Sequence, residues 1–180
     1  MNIDFLSGFR VLDLTDELGI YCGRILADFG AEVIKVERPG GDEARNRPPF
    51  YKDLPSPENS LFWAFANLNK KGITLDISSD EGRELFKKLV RRSDLVIESF
   101  PPGALESLGL GYNELARVNR RLVLTSITPY GHNGPYSDYP AGDINIMAAG
   151  GMLRLHADID RPPVRFSVPL AGFLGSLHAA

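Results

Sequence analysis

The sequence has a single cysteine, Cys22, among its 180 residues, so an internal disulfide is excluded. Cys22 lies on the apolar side of a predicted helix, and we interpret it as a packed core residue in a reducing compartment. No apolar run reaches the roughly 18 residues that a membrane-spanning helix needs. The first residues also lack the basic start and apolar centre of a signal peptide. These absences predict a cytoplasmic protein without a membrane partner.

A block of positive charge is also missing. The 20 Lys and Arg residues are outnumbered by 23 Asp and Glu residues, and the resulting net charge of -3 argues against nucleic acid as a partner. The three histidines, His132, His156 and His178, do not follow the spacing of metal ligands, so no metal site is predicted. With 43% hydrophobic and 24% charged residues, the composition is that of a globular protein with a substantial core.

Residues 11–38 have the pattern of a βαβ unit. Two short apolar runs predict buried parallel strands, formed by Val11, Leu12 and Leu14 and by Val33, Ile34 and Val36. Between the strands, apolar residues recur at helical spacing, at Cys22, Ile25, Leu26 and Phe29. Gly30 is suited to end this helix in a left-handed conformation. Ligands of open α/β sheets bind beyond the carboxyl ends of the strands, where Glu37 and Arg38 follow the second run.

The turn after the first strand lacks the glycine pattern of a dinucleotide site. An NAD-type turn carries G-x-G-x-x-G, so that the backbone can approach a pyrophosphate. Residues 15–19 read TDELG instead, with one glycine and two acids. The two carboxylates would repel a pyrophosphate, so binding of NAD in the usual manner is not expected.

Further strands and helices alternate as far as residue 128. Residues 73–77 are predicted to form a strand that is either near a sheet edge or half covered. A helix follows the capping residues Ser78 and Ser79, with a buried face of Leu85, Phe86, Leu89 and Val90. A strand at 95–97, short helices at 104–108 and 112–119, and a strand at 122–127 complete the series. The alternation predicts an α/β fold with a doubly wound parallel sheet.

Three connecting segments have less regular patterns. Residues 39–60 form a long loop rich in Pro, Gly and Arg, which is either a mobile surface loop or a loop that brings Arg side chains to an anionic ligand. The aromatic cluster within residues 61–68 is interpreted as core, and Lys70 and Lys71 as part of a solvated turn. Beyond residue 140, a helix at 143–149 and an extended segment at 161–170 precede an apolar helix at 171–180. That helix has no C-terminal cap, so we expect the sequence to end within an element.

Six blocks in order resemble the class III CoA-transferase (CaiB/BaiF-like) family, which includes the α-methylacyl-CoA racemases. They are LSGFRVLDLT, ILADFGAEVIKVERPGGDEAR, LNKKGITLDI, VIESFPPGALESLGLGY, RLVLTSITPYGHNGPYSDYP and GDINIMAAGGM. The resemblance implies a Rossmann-like CoA-binding lobe over residues 1–140. Residues 141–180 would begin the segment leading to the family's second, smaller domain, so the sequence would be the N-terminal part of a longer chain. Family members form interlocked homodimers.

The resemblance also implies a function and a set of binding residues. Enzymes of this family move CoA between carboxylic acids through an acyl-CoA thioester, with CoA as substrate and no covalently bound cofactor. Arg38 resembles the family's arginine beside the adenosine of CoA, and Leu68 and Lys71 resemble its apolar and basic contacts. Ser99 and Phe100 stand where the family usually has Asn-Phe. Phe100 is placed either to flank the adenine or simply to pack beneath the loop.

The sequence departs from the family at both catalytic positions. Gly172 stands where the transferases have their nucleophilic Asp, and Gly142 stands where the racemases have a His that acts in acid-base catalysis. Asp143 aligns with a residue of the racemase hydrogen-bond network and is the nearest catalytic candidate, although we expect it instead to be the helix N-cap before Ile144. The alternative functions are therefore a catalytically silent CoA-binding subunit that pairs with an active paralogue, or an inactive fragment.

Overall fold

The computed structural model of the protein describes residues 4–158 and 160–180. Its centre is a sheet of five parallel strands in the order β3-β2-β1-β4-β5. The strands are β1 (Arg10–Leu14), β2 (Glu32–Glu37), β3 (Lys71–Thr74), β4 (Leu95–Glu98) and β5 (Val123–Ser126). The chain therefore winds outward from β1 in both directions, which confirms the predicted doubly wound α/β architecture.

Helices cover both faces of the sheet. They are α1 (Ile20–Asp28), α2 (Leu61–Ala66), α3 (Asp80–Val90), α4 (Ala104–Ser107), α5 (Tyr112–Val118), α6 (Asp143–Ala149), α7 (Met152–Leu155) and α8 (Leu170–Ala179). The predicted loop at 39–60 contains two short 3₁₀ turns, Glu43–Asn46 and Tyr51–Asp53. Within the described part of the chain, none of the helices combines the length and apolarity needed to cross a membrane.

Strand β1 separates two hydrophobic cores, because successive side chains of a strand point to opposite faces. Leu12 belongs to the core beneath α3, α4 and α5, together with Phe86 and Leu115, which are fully buried. Val11 belongs to the other core, which includes Cys22 of α1. The predicted burial of Cys22 is therefore confirmed. The short apolar runs of the sequence correspond to strands covered on both sides.

Local signals place the ends of the helices as expected. Gly30 follows α1 with a φ of +99°, the left-handed conformation that glycine adopts without strain. Ser79 precedes α3, and its hydroxyl accepts a hydrogen bond from the Gly82 N–H at 3.0 Å. The acidic residues Asp80 and Glu81 occupy the first turn of α3, where they interact favourably with the helix dipole.

Several side chains predicted to be buried are exposed. Phe29 is 43% exposed because α1 ends at Asp28 and Phe29 already belongs to the cap. Leu85 is 42% exposed, since the buried stripe of α3 is narrower than its apolar sequence pattern. The aromatic segment that forms α2 is also only partly core: Ala66 is buried, whereas Phe65 is 43% exposed. These residues mark the rim of the core.

The last helix packs against the first. The rings of Tyr21 in α1 and Phe173 in α8 meet edge to face with their centroids 5.3 Å apart. Ala179 packs against the core that contains Val11 and Cys22. Helix α8 is therefore part of the layer that covers one face of the sheet, and the division of the chain at residue 140 stays a prediction.

The buried stripe of α3 gives a testable prediction. Replacing Phe86, which is 0% exposed, by alanine should lower the free energy of unfolding by about 3–5 kcal/mol, because the large cavity it leaves cannot collapse fully. The adjacent substitution Leu85→Ala should cost only about 0.5 kcal/mol. Urea denaturation of the two variants measures this difference. Equal losses would contradict the orientation of α3 on the sheet.

Candidate functional site

Two adjoining cavities open at the carboxyl edge of the sheet. The larger cavity has a volume of about 960 Å³ and the smaller one about 620 Å³. Asp16 and Phe100 line both, so the two cavities share a wall. This wall lies at the point where the strand order reverses, between β1 and β4, which is where ligands of open α/β sheets bind.

Ser99 joins the two turns that form the shared wall. The Asp16 N–H donates to Ser99 Oγ at 2.7 Å, and the Ser99 hydroxyl donates to Asp16 Oδ1 at 2.6 Å. Ser99 is only 8% exposed, so these bonds are protected from water. The predicted site residue Ser99 therefore holds the turn after β1 against the turn after β4, and it lines the larger cavity.

Phe100 is oriented through its backbone by the last residue of β4. The Phe100 N–H donates to Glu98 Oε2 at 2.6 Å. Burial raises the pKa of Glu98, while hydrogen bonds from Ser126 and Phe100 act in the opposite direction. His132 Nε2 lies 3.9 Å from the other carboxylate oxygen. The backbone of Phe100 is thus held in place by the buried Glu98 carboxylate.

The smaller cavity is built from the carboxyl ends of β1, β2 and β3. Its wall includes Arg38 after β2, and Leu75 and Ser78 after β3. The Arg38 side chain is 65% exposed, and its Nη2 lies 2.8 Å from Glu43 Oε1. A cation, a hydroxyl, an apolar wall and the Phe100 ring therefore face one space. Such a lining suits a ligand with an aromatic base and anionic groups.

Arg45 fastens the loop after β2 to the sheet. Its Nε and Nη2 donate to the two carboxylate oxygens of Glu37 at 2.7 and 2.8 Å. The guanidinium also lies 4.2 Å from the centre of the Trp63 ring, a cation–π contact. Burial by itself raises the pKa of Glu37, but the bonds from Arg45 and from the Asp42 N–H outweigh it, so the pKa is lowered. Asp42 and Glu43, which line the cavity, therefore belong to a segment that is bonded to the sheet.

Three buried charges meet beneath this edge. Asp13 of β1 and Lys35 of β2 are paired in the register of the sheet, and their side chains are 0% and 3% exposed. Lys70 Nζ lies 2.7 Å from Asp13 Oδ2 and 2.6 Å from the Ile20 carbonyl oxygen. The interpretation of Lys70 as part of a solvated turn is therefore wrong. Its side chain is 1% exposed, because its ammonium group is paired with the buried Asp13 carboxylate.

The cluster shifts the ionisation of its members. Burial by itself raises the pKa of Asp13, but the ammonium groups of Lys35 and Lys70 outweigh it, so the pKa is lowered. Burial lowers the pKa of Lys70, although Asp13 opposes that shift. Burial, followed by the nearby Asp13 carboxylate, raises the pKa of the Cys22 thiol to about 12. Cys22 is therefore a neutral packed thiol at physiological pH.

The larger cavity is lined by Gly142 and Gly172, the two glycines that the sequence resemblance aligns with catalytic positions. Gly172 lies in the first turn of α8, against the turn after β1. A Cβ atom at this position would lie 3.4 Å from the carbonyl oxygens of Glu17 and Leu18, which is an ordinary contact distance. A Cβ atom at residue 172 is therefore sterically possible. Glu17 itself forms an ion pair with Arg47 in the same cavity.

Asp143 connects two helices in the wall of the larger cavity. It is the first residue of α6, and Gly142 is the residue that precedes the helix. Its Oδ1 accepts a hydrogen bond from the Ala171 N–H at 2.6 Å. The expectation that Asp143 caps its own helix is wrong, because its carboxylate binds a free N–H in the first turn of α8 instead. A catalytic role for Asp143 stays a prediction.

Leu68 and Lys71 do not lie with the other predicted binding residues. Lys71 is the first residue of β3, and its Nζ is 2.7 Å from Glu32 Oε1 at the start of β2. In a parallel sheet the first residues of all strands share one edge, opposite to the carboxyl ends. Leu68 precedes this edge and is 50% exposed. The structure therefore does not bring Leu68 and Lys71 together with Arg38, and Leu75 and Ser78 line the smaller cavity beside it.

Sequence reasoning missed the buried lysines, although one signal pointed to them. Asp13 and Lys35 are each the one charge in the interior of a strand whose other charges stand at its ends, RVLDL and EVIKVE. An acid and a base in two neighbouring buried strands favour a pair, because an isolated buried charge is costly. The sequence around Lys70 gives no comparable signal, because the burial of Lys70 depends on the path of the chain into β3.

Comparison with known proteins gives consistent matches. The chain matches the model of CoA-transferase family III over residues 6–180. It is 44% identical over 165 residues to the succinyl-CoA:(R)-benzylsuccinate CoA-transferase subunit BbsE of Thauera aromatica, covering 92% of this chain and 40% of that protein. It is 41% identical over 178 residues to the succinyl-CoA--D-citramalate CoA-transferase of Chloroflexus aurantiacus, covering 97% and 43%.

A solved structure shares the fold. The crystal structure of a CAIB/BAIF family protein from Brucella suis superposes with a TM-score of 0.89 at 37% sequence identity. This match covers 97% of the present chain and 47% of the other. The chain thus spans less than half the length of these relatives. The resemblance read from the six sequence blocks is confirmed.

The Glu37–Arg45 pair predicts a pH-dependent contribution to stability. The folded-state pKa of Glu37 is lowered, so its contribution is complete above the unfolded pKa of about 4.3 and is lost as the pH falls through the folded value. Glu37→Gln should therefore be less stable than the wild type at pH 7, and the difference should shrink towards pH 3. Thermal unfolding across this range measures it. In the control Glu43→Gln, which removes an exposed partner of Arg38, little change is expected. A Glu37→Gln deficit independent of pH would contradict the assignment.

Proposed function

The chain belongs to CoA-transferase family III, and from this premise we propose that it binds an acyl-CoA thioester as part of an enzyme that moves CoA between two carboxylic acids. CoA is a substrate in this proposal and is not covalently attached. The observation that carries the proposal is the pair of adjoining cavities at the carboxyl edge of the sheet. Because the chain spans less than half of its relatives, the activity and partners of the whole protein belong to the proposal.

We assign the smaller cavity to the adenosine and phosphate end of CoA. Arg38 supplies a cation for the phosphates, and the Phe100 ring offers a surface for the adenine. The thioester would then reach the larger cavity past Phe100 and Ser99, which line it. In this arrangement residues 1–140 form the CoA-binding lobe, and residues 141–180 begin the segment that leads to a second domain.

The binding assignment is tested by calorimetric titration of the 180-residue chain with CoA. Arg38→Ala should weaken binding about tenfold, because it removes a charge-assisted contact to phosphate. Lys71→Ala removes a cation from the opposite edge of the sheet and should leave the affinity unchanged. A wild-type chain that does not bind CoA would refute the proposal for this chain. Equal losses in the two variants would refute the assignment of the smaller cavity.

The chemistry of transfer requires a carboxylate in the larger cavity. Such a nucleophile attacks the thioester carbonyl carbon, the C–S bond breaks, and the CoA thiolate departs from a mixed anhydride. The thiolate then attacks the enzyme's own acyl carbon, which releases the donor acid and leaves an enzyme-bound thioester. The acceptor acid reverses the two steps. Gly172 has no carboxylate to begin this sequence.

A second candidate function follows from that glycine. We propose, as the alternative, a catalytically silent CoA-binding subunit whose partner supplies the nucleophile. One relative, BbsE, is itself named as a subunit, which supports a pairing of two related chains. The partner would be a paralogous chain that carries the aspartate, whereas a homodimer of this chain would have glycine at both positions. The two candidates share the CoA cavity and differ in whether this protein's own site or a partner chain completes the catalytic machinery.

Restoring the nucleophile distinguishes the two candidates. Gly172→Asp introduced into the full-length protein should produce transfer from succinyl-CoA or acetyl-CoA if the rest of the site is intact, since the position accepts a Cβ atom and lines the larger cavity. Succinyl-CoA is the first donor to test, because two relatives are named for it. The matched control is Gly172→Asn, which has the same size but cannot form the anhydride.

Transfer is measured by chromatography of the CoA thioesters, and the covalent intermediate is trapped with hydroxylamine. Activity in the Asp variant alone is the expected result for a latent transferase. If the Asp variant is folded and binds CoA but transfers nothing from several thioesters, the latent-transferase reading fails and the silent subunit remains.

A further inference from the structure

Lys35 lies in the floor of the smaller cavity and contacts both of its side walls. Its ammonium group donates to the Thr15 carbonyl oxygen in the turn after β1. It also lies 3.2 Å from Asp42 Oδ2 in the loop after β2. The two walls are separate pieces of chain, and a single buried cation joins them.

The Asp42 end of this connection controls the shape of the loop. Asp42 Oδ1 accepts the Ala44 N–H at 2.9 Å and caps the 3₁₀ turn that begins at Glu43. The Asp42 N–H donates to Glu37 Oε2 at 3.2 Å. Arg38 and Glu43, which line the cavity, are thus carried by a segment that is anchored by the carboxylate bound to Lys35 as well as by Arg45.

The Thr15 end is equally fixed. Asp13 Oδ1 accepts both the Thr15 N–H at 2.9 Å and the Thr15 hydroxyl at 2.6 Å, and Lys35 Nζ is 3.8 Å from the same carboxylate oxygen. Thr15 is 1% exposed. At this depth the ion pairs are weakly screened, so loss of one partner is costly and the walls have one preferred spacing.

We propose that Lys35 is a positioning residue for the CoA site: it sets the spacing between the turn after β1 and the loop after β2. The inference rests on the proposed function of the smaller cavity as the CoA-binding site. Lys35 acts through Thr15 and Asp42, and its ammonium group needs no contact with the ligand for this role. No sequence motif assigns it, because VIKVE reads simply as a buried strand.

Lys70 provides a matched comparison. It is as deeply buried as Lys35 and pairs with the same Asp13, but its second acceptor is the Ile20 carbonyl at the start of α1. Among the described residues, those that line the smaller cavity do not include Lys70. Replacing either lysine by methionine therefore removes one buried cation beside Asp13, and only the Lys35 substitution breaks the connection to Asp42.

The experiment compares Lys35→Met and Lys70→Met in two measurements. Amide hydrogen exchange without ligand reports the walls directly, and exchange in residues 39–47 should be faster in Lys35→Met than in Lys70→Met. Calorimetry with CoA should show about a tenfold weaker affinity for Lys35→Met and a change of less than about twofold for Lys70→Met. Thermal unfolding should give similar destabilisation for both, which separates positioning from a loss of stability.

A double-mutant cycle with Asp42→Asn tests the link itself. The effects of Lys35→Met and Asp42→Asn on CoA affinity should be strongly non-additive, since both remove the same connection. Equal exchange in residues 39–47 for the two lysine variants, or additive effects in the cycle, would overturn the proposal. If the wild type binds no CoA, the proposed function fails, whereas the exchange comparison still decides whether Lys35 holds the walls. If either methionine variant does not fold, Lys35→Gln and Lys70→Gln replace the pair.

Discussion

Parallel pairing of β1 with β2 on one side and with β4 on the other determines where this molecule can hold a ligand. The strand order reverses at β1, so the turns that follow β1 and β4 diverge to opposite faces of the sheet and leave a crevice between them. The bonds between Ser99 and Asp16 close the base of that crevice. Every side chain that lines both cavities belongs to one of these two turns.

Charged side chains are buried beneath this crevice. Asp13, Lys35 and Lys70 lie directly beneath the turns, in an interior where an unpaired charge would be strongly destabilising. Pairing them gives the turn after β1 and the loop after β2 a defined position. Nearer the surface, Arg45 forms a further ion pair with Glu37 and packs its guanidinium against the Trp63 ring. The edge that is open to a ligand is therefore supported from below by ion pairs rather than by apolar packing alone.

Much of the fold could be predicted from the sequence, because buried parallel strands leave a local signature. Runs such as Val33, Ile34 and Val36 indicated the sheet, and Gly30 and Ser79 indicated helix ends. The site was harder to predict, since it depends on which edge a residue occupies. Lys71 was expected beside Arg38, but β3 begins two residues earlier than its apolar pattern, which places Lys71 at the far edge. The contact of Asp143 with the Ala171 N–H joins residues 28 apart and has no local signal.

The recruitment of Lys70 also bears on how the protein folds. Asp13 and Lys70 are 57 residues apart, so β1, α1, β2 and the approach to β3 must be assembled before this carboxylate can lose its water. A partly folded chain without β3 would keep the carboxyl end of β1 hydrated, with the turn above it unformed. Formation of this buried pair therefore requires a long loop to close, and the entropic cost of that closure opposes its assembly.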